Sequence, residues 1–121
     1  MGIRTNNIAD AVGTGPVELV GQSAAKVWGR LTYSAGTPSF AFGDNISSIT
    51  DNGAGDLTVN ITSAMASSDW APLFTNRIDS ALGITQSTAQ TASLVRLVNY
   101  NTAGTLIDPA AFSLAGHGDL A

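Results

Sequence analysis

Ser47-Ser48-Ile49-Thr50-Asp51-Asn52-Gly53-Ala54-Gly55-Asp56-Leu57-Thr58-Val59-Asn60-Ile61-Thr62 reads as a strand, a tight turn and a second strand. After the turn, Leu57, Val59 and Ile61 fall on one face and Thr58, Asn60 and Thr62 on the other. That period of two marks a half-buried antiparallel strand. Asn52-Gly53 and Gly55-Asp56 supply the positive φ that a short hairpin connection needs.

The same alternation extends in both directions from this hairpin. Upstream, Ala25, Val27, Gly29, Leu31 and Tyr33 share one face and Lys26, Trp28, Arg30 and Thr32 the other. Trp28, between two cations, is placed to stack against their stems at an edge or interface. Ala35-Gly36-Thr37-Pro38 is a turn. Phe40 and Phe42 then alternate with Ser39 and Ala41 until Gly43-Asp44-Asn45 breaks the run, and Ile46 to Thr50 leads into the hairpin. Downstream, Asp69 to Phe74 is a short strand that Pro72 assigns to an edge or a bulge. Residues 76–89 are polar and weakly patterned; a long loop and a single helical turn through Ile78, Ala81 and Leu82 both fit. Gln90 to Tyr100 predicts a strand, with Ala92, Leu94, Val98 and Tyr100 opposite Val95 and Leu97. Asn101-Thr102-Ala103-Gly104 is a hairpin turn, and Thr105 to Ala115 returns, with Pro109 marking a bulge or an edge. Roughly six to eight strands with turns about every ten residues predict an all-β chain, an antiparallel β-sandwich or small barrel.

Residues 1–23 differ from the rest. Asp10 to Leu19 has no sustained period and is interrupted by Gly13, Gly15 and Pro16. The division is therefore an extended N-terminal arm over 1–23 and a β-sandwich domain over 24–121. With 121 residues the chain holds one domain of modest core. Charged residues make up 12%, about half the usual quarter. Such a surface either lies partly against other protein or is covered by Ser, Thr and Asn. The five cations, Arg4, Lys26, Arg30, Arg77 and Arg96, are spread along a chain of net charge −4. A phosphate-tracking groove needs clustered cations, so no nucleic-acid partner is expected. There are no cysteines, which excludes disulfides and thiolate metal sites. No apolar run approaches the roughly 18 residues of a membrane span, so no membrane partner is expected. The N-terminal residues carry no hydrophobic signal region, and use without passage through a secretion channel is expected.

The residues that resemble chemistry have plainer explanations. Ser23-Ala24-Ala25-Lys26 matches a Ser-x-x-Lys pattern, but that chemistry needs the pair on one helical turn and here the segment runs into a strand. His117, the sole histidine, pairs on paper with Asp108 or Asp119 and a serine. It sits in a Gly-His-Gly segment after the last strand, where little would hold a catalytic geometry. Asp51, Asn52, Gly55 and Asp56 have the composition of a calcium loop without its spacing or its bidentate Glu, and turn chemistry accounts for them. No catalytic residue, cofactor or metal is therefore expected. Trp28, Tyr33, Trp70 and Tyr100 form either a carbohydrate platform or, as the scarcity of aromatics favours, core and subunit seam.

The ordered series Ala25-Lys26-Val27-Trp28, Asp44-Asn45-Ile46-Ser47, Ser48 through Ile61, Ser63-Ala64-Met65 and Asp69-Trp70-Ala71 resembles a module of bacteriophage virion proteins, especially tail fibres and head or tail appendages. The leader Ile8-Ala9-Asp10-Ala11-Val12-Gly13-Thr14-Gly15-Pro16 is similar to theirs as well. The likeness covers about two thirds of the chain. It departs from tail fibres in having no long repetitive shaft, and residues 76–90 have no clear counterpart. The resemblance implies a non-enzymatic virion protein, assembled in the host bacterial cytoplasm. The role expected first is a capsid decoration protein that stabilises the head through its arm and β-domain, and the second a tail-fibre or spike protein that binds a host receptor. Its expected partners are other virion proteins, the major capsid protein or tail components, and sister copies in a homotrimer. The candidate partner-binding residues are Ile8, Val12, Pro16, Val17 and Leu19 of the arm, with Trp28 and Trp70.

Overall fold

A computed structural model describes residues 24–77 and 84–121. Eight strands carry the described chain: β1 (Val27–Ser34), β2 (Thr37–Asp44), β3 (Ile46–Gly53), β4 (Asp56–Ile61), β5 (Ala71–Arg77), β6 (Ile84–Gln90), β7 (Leu94–Tyr100) and β8 (Ala111–His117). They form two antiparallel four-stranded sheets, ordered β2-β1-β8-β5 and β3-β4-β7-β6. The sheets pack face to face, so the fold is a sandwich and not a closed barrel. No described helix is long and apolar enough to cross a membrane.

The alternating sequence dictates which side chains fill the space between the sheets. Val27 and Leu31 of β1, Leu57 and Val59 of β4, and Val95 and Leu97 of β7 have no exposed surface, and Ile61, Met65, Trp70, Phe112 and Leu114 complete the cluster. Each aliphatic side chain taken fully out of water contributes about 1.5–3 kcal/mol, so this cluster is what holds the sheets together. Strand β4 behaves as its pattern demands: Leu57, Val59 and Ile61 point inward. Pro72 lies in β5, an edge strand, where its missing N–H costs no ladder bond.

Four expectations are corrected. Of residues 76–89, read as loop or helical turn, 76–77 end β5 and 84–89 belong to strand β6, while 78–83 lie outside the described residues. β6 is a polar edge strand, paired on one side only and bulged between Ser87 and Ala89, so it carries little hydrophobic signal. The single strand expected over Gln90–Tyr100 is two strands. Thr91 N–H bonds Leu94 O at 2.9 Å and Ser93 N–H bonds Thr91 Oγ1 at 3.2 Å, turning the chain between β6 and β7. The return from Thr105 to Ala115 stops almost at once. Asn101 does make the turn, accepting Ala103 and Thr105 N–H at 2.9 Å each, but pairing ends at an isolated Tyr100–Leu106 bridge. The chain then crosses to the other sheet past the buried Pro109 and enters β8 at Ala111. Finally, Phe40 and Phe42 do not share a face. The ladder slips between Arg30 and Leu31, so Phe42 lies opposite Arg30 and Phe40 opposite Leu31. Phe40 lies on the inner side at the sandwich rim, where its ring reaches the space over Gly29 but stays as exposed as Trp28.

The β3–β4 turn and the β7–β8 crossover lock each other. Gly55 has φ +66°. Its N–H bonds the Asp108 carboxylate at 2.6 Å and its carbonyl accepts Asn99 N–H at 2.7 Å. A Cβ there would lie 2.7–2.8 Å from backbone atoms of Ile107 and Asn99, whereas one at Gly53, φ +127°, would meet nothing. Left-handed or otherwise glycine-only backbone costs another residue about 1–3 kcal/mol. Gly53→Ala is expected to lose stability within that range. Gly55→Ala is expected to lose more, because backbone must also move. Urea denaturation of both variants checks the order; equal losses would contradict this account of the turn.

Candidate functional site

The outer faces of the two sheets differ in chemistry, and the difference follows from register. On the second sheet, Ser48, Thr50, Asn52, Asp56, Thr58, Asn60 and Arg96 stand outward. They satisfy one another. Asn60 Nδ2 donates to Ser48 Oγ at 3.0 Å and Thr50 Oγ1 at 3.3 Å; Asn52 Nδ2 donates to Thr58 Oγ1 at 2.9 Å and Asp56 Oδ1 at 3.2 Å. Arg96 grips Asp56 with both prongs of its guanidinium, at 2.9 and 2.6 Å. The Arg96 hydrogen bond, aided by Asn52, holds the Asp56 carboxyl below its usual range against a smaller effect of burial. The β3–β4 part of this face is thus a hydrogen-bonded surface, while Leu94 and Val98 of β7 stand on the same side, opposite Asn60 and Asp56.

The outer face of the first sheet is different. Across its four strands one row reads Asp44, Trp28, Ala115, Leu73, and the next reads Phe42, Arg30, Ser113, Thr75. Trp28, Phe42 and Leu73 are 42%, 57% and 61% exposed. The Trp28 and Phe42 rings meet edge to face with centroids 6.1 Å apart, a geometry the ring quadrupoles favour. Beside Leu73 a shallow cleft of about 150 Å³ runs between β5 and β8, lined by Leu73, Phe74, Thr75, Ser113, Leu114 and Ala115. A contiguous aromatic and aliphatic patch on a sheet face is the usual mark of a surface that meets another molecule.

Of the seven candidate partner-binding residues, Ile8, Val12, Pro16, Val17 and Leu19 lie outside the described residues. Trp28 is on the apolar face. Trp70 is corrected: it is 4% exposed, packed in the core, and its indole N–H bonds Thr91 O at 2.8 Å. Its ring fits because position 116 is glycine; a Cβ there would lie 2.6 Å from it. Tyr33 is half-buried against the core. Burial, and behind it the carboxylates of Asp108, Asp51 and Asp56, push its hydroxyl pKa well upward. The four aromatics therefore form no common platform. Phe42, Leu73, Ala115, Arg30 and Asp44 were not singled out from sequence, because only strand order brings them beside Trp28.

The other motifs are also located. Asp51 Oδ1 accepts the Gly53 N–H at 2.9 Å, as a turn residue does. Among the described residues no group of three or more His, Cys, Asp or Glu is placed to hold a metal. His117 ends β8, while Asp108 lies before its start at the Gly55 turn. The length of that strand, ~20 Å, separates them. Lys26 lies at a bend just before β1, its N–H bonding Gly116 O at 2.8 Å, and not on a helical turn; Ser23 lies outside the described residues. No family model, curated protein or solved structure matches the chain.

Two outcomes are expected from these environments. Trp70→Ala should destabilise by about 3–5 kcal/mol, the range for a large core aromatic, and Trp28→Ala by less than about 1 kcal/mol, as measured by thermal or urea unfolding. Comparable losses would contradict the assignment of one indole to the core and the other to the surface. Asp56 ionises more readily folded than unfolded, so its ion pair stabilises fully above the ordinary carboxyl value of 3.8. That contribution is lost as pH falls through its lower folded value. Asp56→Asn should therefore flatten the fall in stability below about pH 4 relative to the parent. An unchanged acid limb would contradict it.

Proposed function

We propose that this chain is a structural protein of a bacteriophage particle, a decoration protein held on the capsid by its N-terminal arm and β-domain. The observation that carries the reading is the contrast between the two sheet faces. One carries a polar network over β3, β4 and Arg96, and the other leaves Trp28, Phe42 and Leu73 in contact with solvent. A domain with one such face works packed against other protein. The resemblance of the ordered motifs to virion modules supplies the setting. Within it, the β3–β4 hairpin and the Trp28 strand belong to the part that resembles those proteins. Arm residues 1–20 span up to roughly 60 Å when extended, enough to reach from one capsid subunit to the next. Attachment of many copies adds buried area to the shell and stabilises it by mass action.

Deleting residues 1–20 is expected to leave a β-domain with the parent's circular dichroism while weakening its attachment to particles at least tenfold. Binding of the parent and the truncated chain to particles lacking the protein, quantified by mass spectrometry, reads this directly. The same measurement counts copies. Many copies per particle support the decoration role, and a handful point to a fibre or spike. Saturation by the truncated chain at the parent's concentration would overturn the role of the arm.

A further inference from the structure

We infer that the outer face of the first sheet is a self-complementary interface that pairs with the same face of a second copy about a two-fold axis. This goes beyond the virion assignment and does not depend on it. The apolar residues run as an oblique band across all four strands: Phe42 on β2, Trp28 on β1, Ala115 on β8, then Leu73 and Ala71 on β5. Two opposite charges flank the Phe42–Trp28 end of the band, one on each side. Arg30 stands beside Phe42 in one row, and Asp44 stands beside Trp28 in the next. Neighbouring strands lie ~4.8 Å apart and same-face residues ~6.6 Å apart along a strand. By that spacing Arg30 and Asp44 sit at similar distances from the band on its two sides. Neither has an ion-pair partner among the described residues.

A two-fold axis laid along the band keeps apolar on apolar and exchanges its sides. Each Arg30 then stands over the second copy's Asp44, and the contact occurs twice because the interface is isologous. The homotrimer expected from the family resemblance fares worse on this face. A three-fold contact joins unlike patches and lacks the reciprocal Arg30–Asp44 pairing that a two-fold axis gives. The available area sets the strength. Four strands of seven or eight residues cover a little under ~500 Å² per copy, below the ~800 Å² a partner gives to a standard interface. A contact of that size belongs with the weak, transient interfaces.

Sedimentation velocity on the full chain from ~1 to ~500 μM tests the pairing. The expected result is a monomer–dimer equilibrium. Leu73→Asp, at a side chain 61% exposed, should abolish it without altering the circular dichroism. Arg30→Asp and Asp44→Arg should each weaken association about tenfold or more. The double variant Arg30→Asp/Asp44→Arg should recover to within about threefold of the parent, which neither a folding defect nor a contact made by the arm would produce. A monomer at every concentration, a trimer, single variants that associate like the parent, or a double variant no better than the singles would each overturn the inference. Particle binding by a chain that stays monomeric would leave the virion role standing while this pairing fell.

Discussion

Asn45 is the residue on which the arrangement of the two sheets depends. It is the only residue between β2 and β3, and the chain leaves one sheet and enters the other across it. A reversal that short requires left-handed backbone, and Asn45 has φ +60°, which Asn tolerates better than other side-chain-bearing residues. Its amide then fastens the corner. Nδ2 donates to the carbonyls of Lys26 and Ser63 at 2.9 and 3.0 Å, and Oδ1 accepts the Ser63 N–H at 2.7 Å. The backbone carbonyl adds the Thr62 N–H at 3.1 Å. One side chain thus joins the entry to β1, the exit from β4 and the switch between sheets. Neutral hydrogen bonds contribute about 1 kcal/mol each, so the energy is modest. The geometric consequence is larger, because the corner sets where β1 and β4 lie and hence which apolar faces meet.

The far end is closed by a different device. Gly55 takes the Asp108 carboxylate on its N–H and gives its carbonyl to Asn99, while Ile107 N–H reaches Asn99 O at 3.0 Å. The hairpin and the crossover are thereby one unit, and neither can move without the other. Between these two ends the core is made of aliphatic and aromatic side chains with almost no polar burial, Asn99 being the one buried polar residue among those described. Chemistry is pushed outward as a result. The polar residues of β3 and β4 are consumed by one another and by Arg96, and the first sheet holds the exposed Trp28, Phe42 and Leu73.

That first-sheet face exists because of the slip between Arg30 and Leu31. Without it Phe40 and Phe42 would share a side, as strict alternation implies. With it, one ring turns to the inner side at the sandwich rim, still partly exposed, and the other joins Trp28 outside. A single extra residue in β2 therefore decides that the outer patch is aromatic. Bulges redirect side chains in this way at sheet edges, and β2 is an edge strand.

Local pattern by itself determined the all-β class, the β1–β2, β3–β4 and Asn101 turns, and the inward set Val27, Leu31, Leu57, Val59 and Ile61. These depend on period-two alternation and on turn residues whose backbone preferences act over a few positions. It did not reveal β6, whose polar residues are placed by pairing with β7, nor the break in Gln90–Tyr100, where the three-residue turn Thr91-Ala92-Ser93 carries neither glycine nor proline. Trp28 and Trp70 look alike in sequence, each an indole beside a charged residue or near one. Only the packed structure buries one and exposes the other, since Gly116 that makes room for Trp70 lies far along the chain. The same holds for the outer face of the first sheet. Phe42, Trp28, Ala115 and Leu73 come from four strands, and their adjacency is a property of strand order and register, which arise from long-range pairing and leave no local mark in the chain.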